Sequence, residues 1–135
     1  MTKIAPISDR ILSEFENKEF RDAYVGSRAR NIFAYQVKAI REDRGLSQAE
    51  FADLLGKHQS EVSRFEDPDY GRLTVSTMLK IAAALDVALW CKLCSHEEFL
   101  LGTADLSPRA LTVPPYSNIA TTQRETKHDD SSGEV

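Results

Sequence analysis

The eight residues from Lys57 to Arg64 are polar or charged at every position except Val62. Their chemistry suits the edges and backbone of a duplex nucleic acid. Gln59 carries an amide donor and acceptor side by side, the pair that adenine N6 and N7 can meet, and Arg64 carries a fork that fits guanine or a phosphate. Lys57 favours phosphate, as does the free N–H end of a helix that begins here. Ser60 and Ser63 are short enough for close approach. Each good bidentate base contact contributes about 1–3 kcal/mol of discrimination. His58 adds an imidazole whose ordinary pKa of about 6.5 gives a route to pH dependence. Glu61 departs from the pattern. It can accept from cytosine N4, or turn sideways to pair with Lys57 or Arg64, both within helical reach; the sideways pairing is preferred. The bland alternative for the whole stretch is a solvated polar face.

Other reactive groups make a weaker case. Cys91-Lys92-Leu93-Cys94 with nearby His96 has the composition of a zinc half-site or a redox pair. Only one C-x-x-C exists, and alternation would put the sulfurs on opposite faces, so a buried, packed Cys91 and an idle Cys94 are expected. The chain has no Gly-rich phosphate loop, and His58, His96 and His128 show no spacing of a base beside a nucleophile. No enzyme activity, cofactor or metal is expected.

The polar stretch needs elements to position it. Ile32, Phe33, Gln36, Val37 and Ile40 form a mostly apolar helical stripe between Ala29 and Arg44, with Gly45 as the breaker. Ser47 and Glu50 have capping-box spacing, with Leu46 as a staple against Phe51, and Gly56 ends that helix after about two turns. A third helix carries Val62 and Phe65 inward until Pro68 stops it, because proline lacks an N–H and disfavours helical geometry at Asp67. Thr74 caps a fourth, with Val75, Met78, Leu79, Ala82 and Leu85 on one face. Upstream, Ser8 caps a helix bearing Ile11, Leu12 and Phe15, and Phe20, Ala23 and Tyr24 repeat its spacing. Five helices in fewer than 80 residues predict an all-α domain.

Two helices joined by a three- or four-residue turn containing glycine form the unit that lays its second helix in a major groove. Ala52 sits at the helix crossing, where a large side chain would not fit. Gly56, Val62 and Phe65 follow at offsets of four, ten and thirteen, supplying the positive φ and the two inward anchors. On these residues the chain resembles the Cro/CI-type (XRE) helix-turn-helix family, through the segments 46–56, 59–66 and 77–87. The resemblance covers about 55 residues, from Ile32 to Val87. It implies a five-helix, usually dimeric domain that binds operator DNA, and it also fits antitoxins built on this domain. It places Gln48 on a phosphate, and Lys57, His58, Gln59, Ser60, Ser63 and Arg64 on or beside the recognition helix.

The resulting expectation is a helical extension over residues 1–28, a DNA-binding domain over 29–87, a dimerising strand and short helix over 88–101, and a disordered tail over 102–135. The strand rests on the imperfect alternation from Val87 to Cys94, which needs a partner that a second subunit could supply. Ser95 and Glu98 cap the short helix after it. The tail lacks periodic apolar residues, and Pro114-Pro115-Tyr116 reads as linker in preference to a docking peptide.

The net charge of −4 over 135 residues argues against DNA until it is divided along the chain. Residues 21–94 hold eleven basic and ten acidic groups, whereas residues 95–135 hold three and seven. The acidity therefore belongs mainly to the tail. No apolar run approaches about 18 residues, which excludes a membrane span, and the two cysteines fit a cytoplasmic protein better than a disulfide scaffold. The expectation is a homodimeric regulator, read as a repressor of an inverted-repeat operator on double-stranded DNA. Its rivals are an antitoxin with a toxin protein as partner and, more remotely, a metal or thiol sensor.

Overall fold

The computed structural model describes residues 7–117, and its regular structure is all helical. In chain order the helices are α1 (Asp9–Glu14), α2 (Lys18–Asp43), α3 (Gln48–Leu55), α4 (Gln59–Phe65), α5 (Val75–Ala84), α6 (His96–Gly102) and α7 (Pro108–Leu111). The expected caps form: Ser8, Ser47, Thr74 and Ser95 each accept from a first-turn N–H, as do Asn17 for α2 and Ser107 for α7. The box at α3 is reciprocal, Glu50 N–H donating to Ser47 Oγ at 3.1 Å and Ser47 N–H to Glu50 Oε1 at 3.1 Å.

The helix ends follow from backbone geometry. Gly45 and Gly56 adopt φ of 67° and 66°, and the next N–H folds back in each case, Leu46 onto Arg41 O at 3.1 Å and Lys57 onto Ala52 O at 2.9 Å. Asp86 takes the same left-handed conformation at φ 58° after α5.

The boundary expected at residue 28 is not a break. α2 runs unbroken for 26 residues. Gly26 keeps its N–H and costs only about 1 kcal/mol relative to alanine, too little to stop a helix docked at both ends. The first half of α2 joins α1 and α6 in a small aromatic cluster, with Phe15 edge-on to Tyr24 at 5.3 Å and to His96 at 6.0 Å. Arg28 donates to Thr103, tying α6's far end to the same half.

The second half of α2 builds the main core. Val37, Ile40, Phe51, Ala52, Val62, Phe65, Ile81 and Leu85 are buried together, and Phe33, Leu73, Val87 and Val113 pack on them. Val75 and Leu79, expected inside, are exposed. Ala82 and Leu85 are buried as expected, and Ile81 joins them on the inner face.

Two further expectations are corrected. Residues 87–94 form no strand: the alternation is present, but no strand lies beside it among the described residues to complete a ladder, and the backbone runs irregularly. Nor does a disordered tail begin at 102. α7 packs on α2 with Leu111 buried, Gln36 donates to Leu111 O at 3.3 Å, and Arg44 donates to Val113 O at 3.0 Å. Tyr116 N–H reaches Asp86 O at 3.1 Å, so Pro114 and Pro115 belong to a strap laid back over the core. Residues 118–135, with His128 and the acidic end, lie outside the described residues. No helix among the described residues is long and apolar enough to cross a membrane.

Candidate nucleic-acid interface

α3 and α4 are joined by Gly56, Lys57 and His58 alone. The left-handed Gly56 reverses the chain, and the small, buried Ala52 lets the helices approach. Val62 is completely buried and Phe65 nearly so. These two anchors fix the rotation of α4 about its axis. Gln59, Ser60, Ser63 and Arg64 then share the opposite, exposed face, since residues three and four apart are neighbours on a helix. His58 is exposed at the N-cap and Lys57 is half-buried just before it. The structure thus brings six of the seven candidate residues onto one helix and its preceding turn.

Gln48, the seventh, opens α3, and its amide donates to Glu66 Oε1 at 3.4 Å. That bond leaves one amide N–H for an outside acceptor. Glu61 resolves in favour of the sideways reading. It accepts from His58 N–H at 3.0 Å and lies 3.8 Å from Lys57 Nζ. The backbone hydrogen bond from His58 is the main reason that its pKa falls below the ordinary 4.5, with Lys57, His58 and Arg64 adding attraction. The carboxylate thus takes up the N-cap N–H of α4, and Arg64 is left as the cation of this face without an ion-pair partner among the described residues.

The residues that sequence reasoning missed hold α4 from behind. Arg41 of α2 forks onto Glu66, the C-cap of α4, with Nε to Oε2 at 2.7 Å and Nη2 to Oε1 at 2.8 Å. Its third arm donates to Leu46 O at 2.7 Å. Both side chains are buried, at 9% and 4% exposure. The Glu66 hydrogen bonds raise the Arg41 pKa above its ordinary value against the opposing effect of burial. One network thus joins the end of α2, the start of α3 and the end of α4. No local signal marks it, because the partners are 25 residues apart.

The expectation of a buried Cys91 is corrected: it is exposed, as is Cys94. Among the described residues no group of three His, Cys, Asp or Glu side chains gathers as a metal site.

A short glycine turn, a capped second helix anchored by two apolar residues, and an exposed polar outer face define a helix-turn-helix unit. Residues 37–89 match the helix-turn-helix family model, and this segment is a Cro/CI-type (XRE) helix-turn-helix domain. That family is one of DNA-binding transcription regulators. No curated protein and no solved structure matches the chain.

Proposed function

We propose that the protein reads a specific operator through α4, acting as a homodimer and repressing transcription from an inverted repeat. The observation that carries this reading is the division of α4 into a buried Val62–Phe65 side and an exposed side bearing Gln59, Ser60, Ser63 and Arg64. Gln59 and Arg64 discriminate bases, Ser60 and Ser63 allow close approach, and Lys57, His58 and Gln48 engage the backbone. Two copies related by a two-fold axis present their recognition helices about 34 Å apart, one helical turn of the duplex.

Support for a second subunit comes from the chain after α5. Trp90 and Leu93 stand exposed there, an arrangement of large apolar groups that burial against a partner would relieve. The test is selection of bound duplexes from a random library, followed by measurement on the winner. An inverted repeat is expected, and Gln59→Ala with Arg64→Ala should remove about 1–3 kcal/mol of discrimination per lost bidentate contact. Unchanged binding by the double variant overturns the assignment. Light scattering of the free protein gives the subunit count, and co-purification with a second small protein would favour the antitoxin reading.

A further inference from the structure

Behind the outer face of α4 lies a cavity of about 200 Å³ between α2, α4 and the loop leading to α5. Its walls are apolar, from Ala29, Phe33, Ala34, Phe65, Leu73 and Met78, and its polar lining includes Arg30, Arg64 and Asp67. We propose that this cavity binds a small aromatic carboxylate, and that the bound acid draws Arg64 away from DNA. The binding site stands on the cavity alone; the effect on DNA rests on the reading of α4 given above.

Size and polarity select the ligand class. An apolar cavity of roughly 150 Å³ is large enough for benzene, so this one takes a single six-membered ring with a short side arm. Walls that are mostly apolar, with the charged groups confined to Arg30, Arg64 and Asp67, do not suit a sugar or a nucleotide, most of whose hydroxyls would lose hydrogen bonds to water. Charge selects the arm. The guanidinium groups of Arg30 and Arg64 donate to no acceptor among the described residues, although Arg64 feels Glu61 through space. Asp67 opposes an anion, but its Oδ1 already accepts from Asp69 N–H at 2.9 Å, and two guanidinium groups outweigh one carboxylate.

Gly71 makes room for this arrangement. It sits at φ +58°, and a Cβ there would lie 3.0 Å from Arg30 Cδ, so the glycine leaves space for the arginine stem beside the cavity. Arg64 is shared: it lines the cavity and also stands on the exposed face of α4. A carboxylate bound to it competes with a base or phosphate for the same fork, and linkage makes the antagonism mutual.

The experiment uses the full chain, isotope-labelled, with phenylacetate as the probe and no DNA. Saturable chemical-shift changes are expected at Phe65, Leu73 and Met78. Arg30→Gln, a substitution at an exposed residue, should weaken binding about tenfold, as should replacing the probe by neutral phenylacetamide. Met78→Trp, which fills the cavity, should abolish the shifts. Absence of saturable shifts overturns the site, and equal binding of the amide or by Arg30→Gln overturns the carboxylate specificity. A second arm titrates the selected operator with and without phenylacetate, expecting weaker DNA binding with it and no such effect in Arg30→Gln. Ligand binding with unchanged DNA affinity overturns the coupling. Failure to bind any duplex sinks the reading of α4 itself, and the DNA-free titration still decides the cavity.

Discussion

Glu61 shows how one residue can serve stability at some cost to general DNA attraction. Its carboxylate caps α4 through His58 N–H and lies within reach of Lys57, so the cation nearest the start of the recognition helix is partly neutralised. Glu61→Gln keeps an acceptor for the cap and releases Lys57. The expected result is tighter non-specific DNA binding with a steeper salt dependence, the slope of log K against log salt growing by about 0.9 per subunit for one additional phosphate contact. Fluorescence anisotropy on a random duplex at several salt concentrations measures it, and an unchanged slope would show that Lys57 is not held back. The same residue predicts a pH effect. A carboxyl whose folded pKa is depressed stabilises the fold above its unfolded value and loses that contribution as pH falls through the folded value. Glu50, held low mainly by backbone and side-chain hydrogen bonds with Ser47, behaves the same way, so thermal stability should decline as pH drops below the ordinary 4.5. Glu61→Gln should flatten part of that decline in a pH series of melting curves.

At the level of elements, the recognition helix is only seven residues long and cannot hold itself in place. The buried Arg41–Glu66 fork pins its C-terminal end to α2. Arg41→Ala leaves Glu66 charged and unpaired in the interior, which should cost about 3–5 kcal/mol by urea unfolding, whereas Arg41→Met with Glu66→Leu should cost much less. A similar loss from both variants would show that packing, not the abandoned charge, dominates. Gly26 bears on the other end of α2. A Cβ there meets only the Arg30 guanidinium, Nη1 at 3.5 Å and Nη2 at 3.9 Å, ordinary contact, so Gly26→Ala should stabilise the protein by about 0.5–1 kcal/mol if α2 is one continuous helix in solution. A destabilised variant would place a flexible joint there. These cases also show what was legible beforehand. Helix starts were, because Ser47–Glu50 and Thr74 act within one turn, and the face of α4 was, because Val62 and Phe65 fix its rotation. The Arg41–Glu66 fork was not, since nothing local distinguishes either charge from a surface one. The unbroken α2 was hidden because its two apolar stripes, Phe20–Tyr24 and Ile32–Ile40, are separated by the largely polar stretch 26–31, and the supposed strand over residues 87–94 rested on an alternation whose pairing partner no single segment can reveal.

The charge balance of the whole molecule takes on a different meaning once the strap is seen. Residues 103–117 looked like the beginning of an acidic tail, but Leu111 is buried and Arg44 donates to Val113 O, so this stretch closes the core that supports α3 and α4. Residues 118–135 carry two basic and four acidic groups, and no described contact depends on them. Two truncations therefore separate structure from electrostatics. A chain ending at Leu101 loses the buried Leu111 and leaves the Arg44 guanidinium without its second acceptor, and it should lose roughly 2–5 kcal/mol of stability, the range for removing one large core side chain. A chain ending at Ser117 should unfold at the same urea concentration as the full protein. If the acidic end competes with DNA for the Arg64 face, that second chain binds random duplexes more tightly, with the difference vanishing as salt screens charges beyond about 10 Å at 0.1 M. Equal affinity of the full and Ser117-ended chains at low salt would show that the acidic end does not reach the DNA-binding face. Equal stability of the Leu101-ended chain would show that the strap is an ornament on a core complete without it.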